Sequence, residues 1–272
     1  MSGRRLALPA LLTLALAWLP QATLAAGDCR QLSATGNPEY PPYLWRDPQN
    51  PQQLIGANAD LLQHVAKALG LVVNVLYVGP WSRAQEEVNT GRIDLLAGYF
   101  RTNARALATD FISPPFLYTS SVAWVRKGEG FTYNDWSDLK GRRGGTLVNN
   151  SHGQAFDDYA RAQLNLEAVP SASQAFQKLL LGRSDYVLFE RYPGLALART
   201  LDKDQALDIL DPPISSEGLY LALSRKSGCN VPALREQLAR KVAELAAGPL
   251  PAQLVEQNLR RWQRQQTESS GH

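Results

Sequence analysis

The chain has 272 residues, 44% of them hydrophobic and 19% charged, a composition that supports one large or two small cores and excludes a disordered or fibrous polymer. Lys and Arg total 28 against 25 Asp and Glu, a formal charge of +3 that leaves no electrostatic footprint for nucleic acid. His64, His152 and His272 are scattered without the spacing of metal ligands, so neither a metal nor another cofactor is expected.

In chain order, the first 25 residues combine Arg4 and Arg5, an apolar run from Leu6 to Leu19 and small residues before a cleavage point after Ala25 or Ala26. That is the pattern of an export signal, and Pro9 and Pro20 interrupt or end a run already short for a membrane span. Without it the balance is 26 basic to 25 acidic residues, so most of the positive charge belongs to the signal. Asp28 stands immediately before Cys29, where a lipoprotein signal needs a small residue, and a free periplasmic protein is therefore expected. In that oxidising compartment Cys29 and Cys229 are expected to pair, the alternative being two separate buried thiols.

The segment "ADLLQHVAKALG" sets Leu61, Leu62, Val65, Ala66, Ala68 and Leu69 on a helical stripe that Gly70 ends. "LVVNVLYV" then reads as a buried strand, "SRAQEEVNTG" as a polar helix and "IDLLAG" as another strand. Alternation of this kind predicts an α/β fold with a largely parallel sheet. Farther on, "LLLGRSDYVLF" echoes "VNTGRIDLLAG": Gly91, Arg92 and Asp94 correspond to Gly182, Arg183 and Asp185, each set placed between a helix end and a strand. The echo predicts two α/β units of similar construction. "VAWVRKG" leads out of the first unit, "GRRGGTLV" enters the second, and "LDPPISSEGLYLALSRKSG" returns, so the first unit is discontinuous. Two C-terminal helices, "VPALREQLARKVAELAAG" and "LPAQLVEQNLRRW", carry apolar stripes that suit packing on that first unit.

Phosphate loops, dinucleotide turns and serine-hydrolase elbows are missing from the sequence. Ser137-Asp138-Leu139-Lys140 formally matches a Ser-x-x-Lys nucleophile motif, but it lies in a polar turn and no Lys-Thr-Gly accompanies it.

Seven segments in order resemble the periplasmic solute-binding proteins of family 3, the polar amino-acid receptors of ABC importers. They are "NPEYPPYLW", "LIGANADLLQHVAKALG", "GRIDLLAGYFRTNAR", "TDFISPPFLYTSSVAWVRKG", "WSDLKGRRGGTL", "GRSDYVLFE" and "GLYLALSRKSG". The resemblance implies a type II periplasmic-binding-protein fold, two α/β lobes joined by a two-stranded hinge and closing on a ligand between them. It places lobe 1 at residues 26–120 and 215–272 and lobe 2 at 121–214. Arg105 matches the arginine that takes a ligand α-carboxylate, for which a planar fork of donors is suited. Thr102 adds a hydroxyl, and the main chain at Gly98 and Phe100 offers a carbonyl to an ammonium and an N–H to the carboxylate. Glu190, at the C-terminal end of a strand, matches the second-lobe acid that holds the ammonium, one methylene longer than the usual Asp. Asn150 and Ser151 match a helix start whose N–H groups meet the carboxylate. Tyr40, Tyr43 and Trp81 match walls of the side-chain pocket, and Asn37 stands where receptors for basic amino acids carry an acid. Tyr99 and Phe100 depart from the family, which often has small or hydroxyl residues there, and are expected to shrink or redirect the cleft.

The function implied is capture of an amino acid or related small amine or carboxylate and its delivery, by a monomer, to an inner-membrane ABC permease. Two alternatives share the fold. One presents the closed form to a membrane sensor, and the other is an enzyme like the periplasmic cyclohexadienyl dehydratases, for which Glu190 is the one nameable catalytic acid.

Overall fold

The computed structural model describes residues 29–201 and 203–270, so the export signal expected at residues 1–25 lies outside the described residues. The chain enters β1 (Gln31–Thr35) and makes a small antiparallel sheet of β2 (Glu39–Tyr40), β3 (Leu44–Arg46) and β4 (Leu54–Ile55). Next come α1 (Ala57–Ala68), β5 (Val72–Val75), α2 (Trp81–Asn89) and β6 (Leu95–Phe100). Of the expected stripe in α1, Leu61, Leu62, Val65 and Ala66 are buried, Leu69 is half-buried and Ala68 is exposed, and Gly70 follows the helix at φ 67°, where a side chain would be strained.

Two strands of 18 residues, β7 (Thr109–Arg126) and β11 (Leu207–Ser224), run antiparallel through the centre. Between them in sequence lie β8 (Arg143–Leu147), α3 (Gln154–Gln163), β9 (Asn165–Val169), α4 (Ala172–Leu180), β10 (Tyr186–Glu190) and α5 (Arg191–Thr200). The eight-stranded sheet has the order β5-β1-β6-β11-β7-β10-β8-β9. Its outer thirds are parallel, β5-β1-β6 on one side and β10-β8-β9 on the other, and the two long strands between them belong to both. This gives two α/β lobes sharing a two-stranded connection. In that connection the pairing shifts register between Leu210 and Ser215, and Ser215 to Leu219 then pair with Ser121 to Leu117.

The Gly-Arg-x-Asp echo has a structural counterpart. Asp94 accepts hydrogen bonds from Ser33 N and Ser33 Oγ of β1, both at 2.8 Å, and Asp185 accepts from Arg143 N of β8 at 2.7 Å. Each Asp thus ties the start of its own strand to a parallel neighbour. One expectation needs correction. The strand after α1 is an edge of the sheet among the described residues, with Val72 59% exposed. The last helix, α7 (Leu250–Ser270), follows α6 (Pro232–Ala246) and packs Trp262 edge-on to Trp45 of the first lobe. It also runs on until Gln266 Oε1 accepts from Thr200 Oγ1 of α5 at 3.3 Å, so it reaches the second lobe too.

Cys29 and Cys229 are bridged across 200 residues of sequence, tying the start of β1 to the turn after β11. Ser137 lies in a short 3₁₀ turn, its hydroxyl donating to Asp135 Oδ1 at 2.6 Å, an arrangement of turn capping rather than of an activated nucleophile. The largest apolar cluster is continuous from Leu32, Leu62 and Val65 to Trp124, Phe176 and Phe189. The lobes therefore share packing as well as strands.

Candidate functional site

The carboxyl ends of β6 and β10 face each other across a narrow cavity that opens to the surface. A site at strand ends between two α/β units is where such sheets gather ligands, because loops and helix starts converge there. The first lobe supplies Asn37, Tyr40, Leu44, Asn58 and Trp81, the run Ala97 to Phe100, Arg105 and Leu219. From the second lobe come Asn150 and Glu190.

Arg105 reaches this cavity because β6 ends in a tight turn. Thr102 Oγ1 accepts from Arg105 N at 3.2 Å, and the side chain folds back so that Nη1 donates to Phe100 O at 3.0 Å. Its Nη2 donates to Asn149 O of the second lobe at 3.0 Å. The guanidinium lies 4.1 Å above the Tyr99 ring, a cation–π seat, and Tyr99 is itself held by donating from its hydroxyl to Gln85 Oε1 at 2.8 Å. Tyr99 is thus a shelf for the arginine, whereas the sequence suggested only added bulk. Burial works against the guanidinium charge, and no carboxylate pairs with it among the described residues. Asp110, its nearest acid in sequence, pairs with Arg225 at 3.1 Å instead.

Glu190 is only 2% exposed, and its Oε2 has no hydrogen-bond partner. Burial pushes its carboxyl up to about 7, while its own backbone N–H and the charge of Arg105 pull the other way. Its neighbour Arg191 pairs with Asp211 at 2.6 Å and leaves Glu190 unneutralised. A buried acid with one oxygen unpaired and a half-buried guanidinium without an ion-pair partner among the described residues therefore line one cavity.

Gly98 owes its place to a bulge in β6. The register with β11 passes from Tyr99 to Ala97 and skips Gly98, which takes φ 109°. Its missing side chain admits Asn58: a Cβ there would sit 2.3 Å from Asn58 Nδ2. That nitrogen donates to Ala97 O at 2.9 Å, and Asn58 Oδ1 is left buried without a partner. Trp81 Nε1 and Asn150 Nδ2 are likewise buried and unpartnered. Four orphaned polar atoms on residues that line one cavity are exceptional where nearly all such atoms are normally paired.

Of the residues singled out from sequence, Arg105, Gly98, Phe100, Glu190, Asn150, Tyr40, Trp81 and Asn37 come together at the cavity. Three stand outside it. Tyr43 backs Tyr40 at 5.1 Å between ring centres and donates toward Thr119 Oγ1 at 3.4 Å. Thr102 and Ser151 face a wider outer groove. There the Thr102 hydroxyl holds the Arg105 backbone, and the Ser151 hydroxyl donates to Asp157 and accepts from Gly153 N. Phe100 O is occupied by Arg105, which removes it as a free receptor for an ammonium. Asn58 is the main addition. It sits in the helix-start segment "GANADLL", and an amide in a stripe of small and apolar residues was the available signal.

The lobes touch elsewhere around the cleft. Asn103 N donates to Gln154 Oε1 at 2.9 Å, and Glu39 accepts from Ala172 N at 2.7 Å and Ser173 Oγ at 3.2 Å at the start of α4. Tyr40 meets Phe189 edge-on at 6.3 Å.

Two lobes on a shared pair of strands, with a polar cavity at their facing strand ends, define a type II periplasmic-binding-protein fold. Residues 32–259 match the family model of bacterial extracellular solute-binding proteins, family 3, and the chain belongs to that family. It is 25% identical over 164 residues to the L-cystine-binding protein TcyJ of Escherichia coli strain K12, an alignment spanning 59% of each chain. Among solved structures it resembles a mutant of ArgBP from T. maritima, at a TM-score of 0.68 and 21% identity over 84% of this chain and 94% of that one. A histidine kinase sensor domain with similarity to periplasmic binding proteins aligns at a TM-score of 0.67 and 22% identity, covering 86% and 96%.

Proposed function

We propose that the cleft captures the zwitterionic head of an amino acid. Arg105 and Asn150 Nδ2 take the carboxylate, and Glu190 takes the ammonium. The observation that carries this reading is that two groups of opposite charge type, Arg105 from the first lobe and Glu190 from the second, line one cavity without forming an ion pair with each other. A ligand spanning them bridges the lobes and favours the closed form through contacts it makes only there. The L-cystine-binding relative, and a truncated ArgBP from T. maritima solved in its arginine-bound form, are consistent with an amino-acid ligand.

In this reading the protein works as a periplasmic monomer, exported on its N-terminal signal, with lobes at 26–120 plus 215–272 and at 121–214. It hands its ligand to an inner-membrane ABC permease. Homologues and neighbours that bind rather than turn over their ligands support a binding protein over an enzyme. The likeness to a histidine kinase sensor domain supports a second reading, in which the closed form signals to a membrane sensor. Neighbouring genes for a permease and an ATPase favour import, and a neighbouring sensor kinase gene favours signalling.

Titration calorimetry against a panel of L-amino acids tests the site. A ligand should bind, and Arg105→Ala should weaken it by about 100-fold or more, because a desolvated charge pair loses one partner. Absence of binding by every α-amino acid, or an unchanged affinity in Arg105→Ala, rules the assignment out.

A further inference from the structure

The cavity holds more polar atoms than an amino-acid head needs. Once Arg105 and Asn150 are assigned to the carboxylate and Glu190 to the ammonium, two orphans are left, Asn58 Oδ1 and Trp81 Nε1. One only accepts and the other only donates. Both belong to the first lobe, and both are fixed. Asn58 cannot turn its amide over without losing the bond from Nδ2 to Ala97 O, so its oxygen stays unpaired. Trp81 is the first residue of α2, 6% exposed, and stands edge-on to Tyr99 at 5.5 Å.

Charge sets the second condition. Among the described residues that line the cavity, Arg105 and Glu190 are the charged ones, and the ligand head uses both. The nearby acids are engaged elsewhere: Glu39 on the first N–H of α4, and Asp157 on Ser151 Oγ and His152 N. A cationic or anionic ligand side chain would lie in the cavity without a counterion, which costs more than any single hydrogen bond returns. An apolar side chain would leave Asn58 Oδ1 and Trp81 Nε1 buried and unpaired.

We propose that the site selects an L-amino acid whose side chain is uncharged and both donates and accepts hydrogen bonds, a carboxamide or a hydroxyl, with Asn58 Oδ1 as acceptor and Trp81 Nε1 as donor. This rests on the reading of Arg105 and Glu190 as receptors for the ligand head. A side-chain N–H or O–H meets Asn58, and a side-chain oxygen meets the indole N–H. Sites built to pair a ligand's polar group discriminate strongly against analogues that lack it, because the protein's own buried groups are then left bare.

The test uses the intact protein and ligands matched in shape. L-asparagine, L-aspartate and L-leucine share one heavy-atom skeleton; L-glutamine, L-glutamate, L-lysine and L-serine extend the series. The tightest of asparagine, glutamine and serine should bind at least about 10-fold tighter than leucine, aspartate, glutamate or lysine. Trp81→Phe and Asn58→Leu should each shrink the advantage of the preferred ligand over leucine, and an undiminished advantage in both folded variants would overturn the assignment of these two groups. The wild-type ranking decides the matter even where a variant fails to fold. Binding led by leucine, aspartate, glutamate or lysine overturns the selectivity and leaves the head-group reading standing. No binding by any of them, or binding indifferent to Arg105→Ala, overturns the head-group reading and this inference with it.

Discussion

Glu190 and His152 are buried titratable groups whose effects on stability oppose each other. With its carboxyl near 7 against an ordinary 4.5, Glu190 binds a proton more tightly folded than unfolded. Its contribution to stability is therefore greatest below about pH 4.5 and is lost as pH rises through about 7, a loss of about 3 kcal/mol at most. His152 is 2% exposed, its ring nitrogens lying 3.2 Å from Ser121 Oγ and 3.0 Å from Thr146 Oγ1. Burial holds it below its ordinary 6.5, so stability falls as acid protonates it. The wild-type pH profile is a sum of both and conceals each. Comparison with Glu190→Gln separates them: the unliganded variant should melt higher than wild type at pH 8, and the gap should narrow toward pH 5. Equal offsets at both values would show that Glu190 is not the group responsible. For a ligand ammonium the sign reverses. Binding favours the ionised carboxylate, so affinity should rise with pH through about 7 and protons should be released, as calorimetry in buffers of different ionisation enthalpy would register.

At the scale of elements, the cleft is assembled from ends: the bulged end of β6, the end of β10 and the starts of α1 and α2, with the start of α4 touching the first lobe beside it. Glu39 illustrates how an end becomes a contact. Its carboxylate accepts the first N–H of α4, so a residue of one lobe caps a helix of the other. Glu39→Ala should cost about 1 kcal/mol of the closed form and weaken ligand binding about 5-fold, although Glu39 does not line the cavity. Small-angle scattering of the unliganded variant should report a larger radius of gyration than wild type; an unchanged radius and affinity would show the cap to be incidental. Much of this level was legible in the sequence. The helix stripe of α1, the paired Gly-Arg-x-Asp turns and the Arg105 turn are local patterns of residue type, and local patterns survive without coordinates. Asn58 was not legible, because its role depends on the bulge at Gly98, 40 residues later, which opens room for its amide. The partners of Thr102 and Ser151 were hidden for a related reason. A hydroxyl's residue type announces that it will hydrogen-bond but not with what, and both found partners in their own turns. The exposure of β5 was hidden as well, since an apolar run does not declare which strand lies at the edge of a sheet.

For the molecule as a whole, closure is distributed. Arg105 to Asn149, Asn103 to Gln154, Glu39 to α4 and Thr200 to Gln266 all cross between lobes at separate points. The lobes differ, however, in how their strands are drawn from the chain. β8, β9 and β10 all come from residues 143–190, whereas β6 is completed by β11, where Ala97 meets Leu221. One lobe is thus a near-contiguous piece of chain, and the other closes only when distant segments meet, which is the slower search. In refolding followed by pulsed hydrogen exchange, amides of β8 and β10 should gain protection before those of β1 and β6; simultaneous protection would show that the shared core makes the lobes one folding unit. The same asymmetry acts on a chain that emerges N-terminus first during synthesis. The lobe that contributes Glu190 has all its strands early, while the lobe that contributes Arg105 waits for the last quarter of the chain and for Cys229 to find Cys29. On the proposed reading of the site, a product truncated before β11 should fold its second lobe, with Glu190 but without a finished Arg105 site, and be recognisable as a species that folds without binding.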